Sequence, residues 1–281
     1  MKNEAVIRRS GVTQVLALPY VAWMCIFIIV PLALVAYFAF TTSEGAWTLD
    51  NVSRVGEFSP ILIRSVWLAA VSTVICLVVG YPLAYIISRA TGSRQRTMVM
   101  LIMLPMWMNF LLRTYAWMTL LEKNGIINRL LGMAGLGPLQ MINTPGAVVL
   151  GMVYNYLPFM LLPLYSIMTK IDNTTLEAAQ DLGANWRQIF TGILLPLSAP
   201  GIKTGVTMVF VPAVSTFIIS RMLGGGGQLL IGDLIDLQFL GNAYNPNLGS
   251  AISLVLMVII LLCMSIFNQF GSEEEMEGIL L

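Results

Sequence analysis

Six stretches of this chain are each long and apolar enough to cross a bilayer, whose hydrocarbon core takes about 20 residues of helix, and nothing else in the sequence constrains the fold as much. The first runs from Thr13 to Phe40, interrupted by Pro19 and Pro31; the second from about Leu62 to Ile87, with Pro82 near its end; the third from about Thr97 to Leu121. The fourth, Pro145 to Met168, contains Pro158 and Pro163, the fifth runs from about Gly201 to Ser220 with Pro212 inside it, and the last from about Ser250 to Phe270. Proline inside a span frees a backbone carbonyl that neighbouring helices must satisfy, so the pattern predicts a packed bundle rather than separate anchors. Composition agrees, with 57% of the 281 residues hydrophobic and 10% charged, against roughly 45–50% and 25% in soluble domains. The expected class is an all-α integral membrane protein in which residues 1–281 form one transmembrane domain.

The same composition closes off several chemistries. The chain has no histidine, which removes imidazole proton shuttles, Ser-His catalysis and the commonest metal ligand. Cys25, Cys76 and Cys263 are far apart, each within an apolar run; they make neither a CxxC pair nor a metal cluster and read as small buried residues. There is no GxxxxGK[ST] phosphate loop, so ATP binding by this chain is not expected. The glycine run Gly224 to Gly227 lacks the lysine of such a loop and reads as a hinge. A net charge of +1 offers no field for nucleic acid. The first apolar stretch is too long for a cleavable leader, and no A-x-A site follows it, so it reads as the first span.

Lys and Arg set the expected orientation. With the N-terminus inside, the cytoplasmic segments carry Lys2, Arg8, Arg9, Arg89, Arg94, Arg96, Lys170, Arg187 and Lys203, and the outer segments carry Arg54, Arg64, Lys123, Arg129 and Arg221. Nine against five favours N-inside, and six spans then return the C-terminus inside as a cytoplasmic tail (271–281) with an acidic, solvated run from Glu273 to Glu277. Outside, three loops are long enough to form a docking surface; in Gly125 to Gly137, the spacing of Ile126, Ile127, Leu130 and Leu131 predicts a short amphipathic helix at the interface.

The longest cytoplasmic connection, about 170–200, holds a polar stretch between two apolar ones. Thr174-x-x-Glu177 has the form of a capping box, Gly183 is placed to end that helix in a left-handed turn, and Asn185-x-x-Gln188 offers a second cap. Two short helices joined by a sharp glycine turn are expected. The second should end near Leu195, where Pro196 and Pro200 interrupt it before the fifth span. Glu177 would lie in the first turn, favourably placed for the helix dipole, and Ala178 and Ala179 would present a low-profile surface to a partner.

The pattern Glu177-Ala178-Ala179, three residues, Gly183, nine residues, Ile193, one residue, Leu195-Pro196 resembles the EAA loop of permease subunits in binding-protein-dependent ABC importers. The segments "LPFMLLPLYSIM", "LPMWMNFLLRTYAW" and "LLIGDLIDLQFL" further resemble the B-type permease subunits of spermidine/putrescine importers. The resemblance implies a type I importer permease (MetI-like) fold with no catalytic residue and no cofactor or metal in this chain. It also implies a second, related permease, two copies of a cytoplasmic ATPase carrying ATP and Mg, and an extracytoplasmic substrate-binding protein. Glu177, Ala178, Ala179, Gly183, Ile193, Leu195 and Pro196 then become the ATPase-coupling residues.

A polyamine needs carboxylates and aromatic faces along its route. Trp107, Asn109, Tyr115 and Trp117 of the third span and Tyr154, Asn155 and Tyr156 of the fourth are candidates, each with packing or an interfacial belt as its plainer role. Asp233 and Asp236, three apart, share one side of a helix. There they would attract a cation, bind the delivery protein or simply form a solvated face. Arg113 is the charge well inside a span. It pairs with a partner's carboxylate, repels cations at a gate, or snorkels or bonds to carbonyls freed by prolines. The competing readings are the same architecture for another solute (an inorganic anion, a metal chelate or an amino acid) and a stand-alone secondary transporter or channel.

Overall fold

In hydrocarbon every backbone N–H and C=O must find its partner within the protein, which leaves helices as the way for a chain like this to cross. The protein, a computed structural model that describes residues 18–277 with side chains through 267, meets that demand with helices joined by short turns. The start of the expected first span and the last four residues lie outside the described ones.

Helix α1 (Leu18–Ala39) contains a π turn at Cys25–Ile29 and packs along α12 (Pro246–Glu277). Its last carbonyls, which no helical N–H can reach, are taken by two asparagines. Asn247 Nδ2 donates to the carbonyls of Phe38 (3.1 Å) and Thr41 (2.7 Å), and Asn51 Nδ2 to those of Ala39 (3.3 Å) and Thr41 (2.9 Å). The turn α2 (Asp50–Arg54) leads into the long α3 (Ser59–Arg89). Of the three cysteines only Cys76, on α3, is fully buried; Cys25 is exposed, against the expectation of burial, because almost all of α1 lies outside the core.

The third span is not straight. Helix α4 (Gly92–Met103) tightens into a 3-10 turn at Leu104–Trp107, and the stretch Phe110–Met133, which opens with α5 (Phe110–Leu121), leaves at 91° to it. Pro105 cannot donate the N–H that would continue α4. Met108 is extended, and the Asn109 side chain caps the N–H groups of Leu111 (2.8 Å) and Leu112 (3.4 Å). With that bent pair counted once, the described residues hold six candidate spans.

The interfacial helix forms as α6 (Ile126–Met133), with Ile126 and Leu130 exposed and Ile127 packed on the core. Its buried Asn128 ties down the following loop through bonds with Leu139 at 2.8 and 2.9 Å. Helix α7 (Pro145–Met168) matches the expected fourth span at both ends, its first turn capped by Thr144.

After α8 (Asn173–Asp181), the expected break at Pro196 and Pro200 does not occur. A single helix, α9 (Trp186–Val214), runs from the polar stretch through the fifth span. A π turn at Phe190–Leu194 precedes Pro196, and Pro196 itself sits in the first turn of the α-helix that resumes there, where a missing N–H costs least. Helices α10 (Ile218–Leu223) and α11 (Ile231–Leu240) fold between the last two spans. Helix α12 continues to Glu277, so residues 271–277 of the expected tail are helical.

Helix α7 lies at the centre, packed against α3 and α9. Burial against lipid-like surroundings offers no hydrophobic gain, so close packing must hold the three together. Met160 of α7, fully buried, is held between two glycines: a Cβ on Gly80 of α3 would lie 3.3 Å from its Cγ, and one on Gly205 of α9 would lie 2.6 Å from its Sδ. Gly201 and Gly205 form a small-xxx-small face through which the α9 backbone approaches α7.

Candidate functional site

The polar segment between α7 and α9 is built from local rules. The cap of α8 is Asp172, whose side chain accepts from the Thr174 N–H at 3.3 Å. The helix therefore starts before the expected box at Thr174, and Glu177 lies two residues further in than expected, past the first turn. At the other end the Ala184 N–H reaches the Ala179 carbonyl (3.0 Å) and the Gly183 N–H that of Gln180 (2.8 Å). With Gly183 at φ +84° this is a Schellman closure. Asn185 and Gln188 then form the expected reciprocal box, with bonds of 3.0 and 2.8 Å, and start α9.

The two short helices share a small core of their own, in which Ile171, Leu176, Ile189 and Leu194 are buried and Ala179, Ala184 and Ile193 pack against them. Glu177, Ala178, Gly183, Leu195 and Pro196 are exposed, so the segment presents an open surface one residue of which, Leu182, is 90% exposed. Ala179 thus has two duties. It is small enough for the surface, and its carbonyl and methyl close the turn below it.

Arg89, which the sequence reading used only for orientation, proves central to this end of the molecule. It ends α3 and donates from Nη1 to the Ile171 carbonyl (2.9 Å) and to Asn173 Oδ1, while its Nε and Nη2 are buried without an acceptor. No spacing rule could find it, because its partners lie 82 and 84 positions away.

The remaining candidates fall into two groups. Arg113 is buried; its Nη1 donates to the Pro105 carbonyl at 2.8 Å, across the bend of the third span, and its guanidinium lies over the rings of Phe110 (5.9 Å) and Tyr154 (6.0 Å). Tyr154 in turn meets Trp117 edge-on, with centroids 5.3 Å apart. Asn155 and Tyr156 bond to the carbonyls of Gly151 (2.8 Å) and Pro212 (3.3 Å) within the bundle. Trp107 and Tyr115 join neither cluster and are exposed, at 77% and 56%.

Asp233 and Asp236 both meet Arg221, which is itself half exposed. Arg221 Nη2 lies 2.6 Å from Asp236 Oδ2, and its Nε lies 3.7 Å from Asp233 Oδ1. Asp233 is wholly buried and works as a cap, accepting from Ser220 Oγ (2.6 Å) and from the Leu230 N–H (3.0 Å). The expectation of a solvated face fails for it because α10 folds over α11, a contact that no periodicity within α11 reveals.

Burial raises the Asp233 carboxyl above the ordinary carboxylate range, against the pull of Ser220, Leu230 and Arg221. The folded chain therefore binds this proton more tightly than the unfolded one. Its contribution to stability is complete below the ordinary aspartate value and is lost as pH rises through the raised one. Asp233→Asn should flatten that slope in thermal unfolding measured across acidic pH. Asp233→Ala should flatten the slope as well and, by leaving Ser220 and the Leu230 N–H without their acceptor, lower the whole curve by about 1 kcal/mol relative to Asp233→Asn.

The central bundle and the two-helix segment that projects from it define a type I ABC importer permease. The chain belongs to the family described as binding-protein-dependent transport system inner membrane component, whose model matches residues 76–270. It is similar to the spermidine/putrescine transport system permease protein PotB of Haemophilus influenzae, 37% identical over 258 residues that cover 88% of this chain and 89% of the relative. The PotB of Escherichia coli K12 is 35% identical over 257 residues, 88% of this chain and 93% of the relative. A solved bacterial ABC transporter involved in alginate import shares the fold with a TM-score of 0.74 at 19% identity, over 95% of this chain and 97% of that one. The family makes this chain a membrane transport component rather than an enzyme.

Proposed function

We propose that this chain is the permease subunit of an ATP-driven polyamine importer, with both termini and α8 in the cytoplasm. The observation that carries the reading is the turn at Gly183, which presents Glu177 and Ala178 on an open surface and joins that surface to a helix continuing through the membrane. Two copies of a separate ATPase, which bind ATP and Mg, grip this surface. Their closure around nucleotide moves α8, and α9 carries the movement into the bundle.

Polyamine as cargo is supported by the names of the relatives that align over most of the chain. A second permease completes the pathway against the exposed side of α5 that holds Leu111 and Tyr115, and against Trp107, which is exposed on the other arm of the bend. An extracytoplasmic binding protein delivers the substrate to the opposite end, where Asp236 and Arg221 lie. No cofactor resides in this chain.

Liposomes holding the chain with its ATPase, partner permease and binding protein should accumulate spermidine only when ATP is supplied on the ATPase side, and liposomes with the chain alone should accumulate none. Uptake by the chain alone overturns the importer reading. Preference for an acidic solute over spermidine overturns the cargo and leaves the importer intact.

A further inference from the structure

Helix α3 is joined to the coupling segment by side chains, although the chain itself runs into that segment from α7 and out of it into α9. Tyr81, Tyr85 and Arg89 recur every fourth residue along the end of α3 and so share one face. Tyr81 meets Phe190 of α9 edge-on at 5.5 Å and shares a 2.9 Å hydrogen bond with Ser198. Tyr85 meets Trp186, the first residue of α9, at 5.7 Å. The Arg89 guanidinium sits 5.4 Å from the Tyr85 ring and donates to Ile171 and Asn173, the entry to α8. Tyr85 and Phe190 also pack on the small core under the two helices.

We propose that Arg89 is the positioning residue that makes α3 a second output of the coupling segment, so that a displacement of α8 moves α3 and α9 together. The inference rests on the reading of this segment as the ATPase contact. Its physical basis is the difference between the two joints. The α8–α9 joint is a glycine turn that sets an angle, whereas the α8–α3 joint is a charge-assisted, two-acceptor bond at a helix end. There the arginine's charge also suits the terminal carbonyls of α3. A lysine keeps the charge and three donors but gathers them on one flexible nitrogen without the rigid planar fork that places Nη1 between both acceptors.

The test uses the complete reconstituted transporter. Arg89→Gln should leave assembly and ATP hydrolysis in place and lower spermidine taken up per ATP by about tenfold, as expected for a lost charge-assisted bond; Arg89→Lys should recover part of it. Spin labels at Leu83 on α3 and Leu182 at the end of α8 should keep one separation with and without bound ATP in the wild type, and change it on nucleotide binding in Arg89→Gln. A wild-type separation that changes with ATP, or an unaltered uptake ratio in Arg89→Gln, overturns the joint and leaves the importer reading standing. Should Arg89→Gln fail to assemble, the wild-type separation decides alone. Uptake that needs no ATP instead overturns the reading on which the joint rests.

Discussion

Gly183→Val is expected to uncouple the transporter: ATP hydrolysis persists, while uptake falls by about tenfold or more, with normal insertion in the membrane. The cause lies in the backbone. Gly183 has φ +84°, and a Cβ there would touch nothing within 4 Å, so crowding plays no part. A left-handed conformation costs an L residue roughly 1–2 kcal/mol, and a β-branched one more. The chain relieves that strain by leaving the turn, and with it go the Ala184–Ala179 and Gly183–Gln180 bonds that fix the angle between α8 and α9. A loss of about 1.4 kcal/mol is a tenfold change in an equilibrium. Asparagine tolerates the left-handed region, so Gly183→Asn should transport near the wild-type rate. Uptake and ATP hydrolysis measured side by side check both. Equal coupling in Gly183→Val and wild type would show that the angle is not what the ATPase uses.

Gly205→Val should act on the bundle itself. A Cβ at this position lies 2.6 Å from Met160 Sδ and 3.1 Å from the Met160 carbonyl oxygen. The sulfur has nowhere to go, since Met160 is fully buried and faces Gly80 of α3 on its other side. The carbonyl belongs to a helix and moves only if α7 moves. The expected cost is about 1–3 kcal/mol, read as a fall of about 5 °C in the unfolding midpoint of the detergent-solubilised complex. Gly192→Ala is the matched control, because a Cβ there meets nothing within 4 Å and alanine favours the helix. An unchanged midpoint in Gly205→Val would mean that α7 and α9 do not depend on this approach.

Hydropathy makes a span legible when the helix is straight, and α7 shows how well this works, since its two ends are read to the residue. The same reading fails at the third span because a hydropathy window averages across a bend. Proline does not resolve the matter. Pro82, Pro158 and Pro163 sit inside unbroken helices, whereas Pro105 stands at the 91° break. The difference lies in the next residues, Met108 extended and Asn109 capping, which only the packed bundle selects.

In the polar segment, Gly183 and the Asn185–Gln188 box are legible because their chemistry is local. The start of α8 is misread because Asp172 and Thr174 are both competent caps and the sequence does not rank them. The burial of Asp233 and the reach of Arg89 are set by contacts distant in sequence, and no window contains them.

The π turn at Phe190–Leu194 gives the length of the coupling pattern a meaning. One extra residue in a helix advances every later side chain by ~100°. Trp186, which meets α3, and Gly201 and Gly205, which meet α7, are on the same rod but on opposite sides of that insertion. The nine residues between Gly183 and Ile193 therefore act as a timing mark. They set the phase at which a shaft gripped at one end meets its bearings at the other: the wide turn takes up one residue more than an α turn, so straightening it without shortening the chain would rotate α9 by ~100° away from one of its two neighbours.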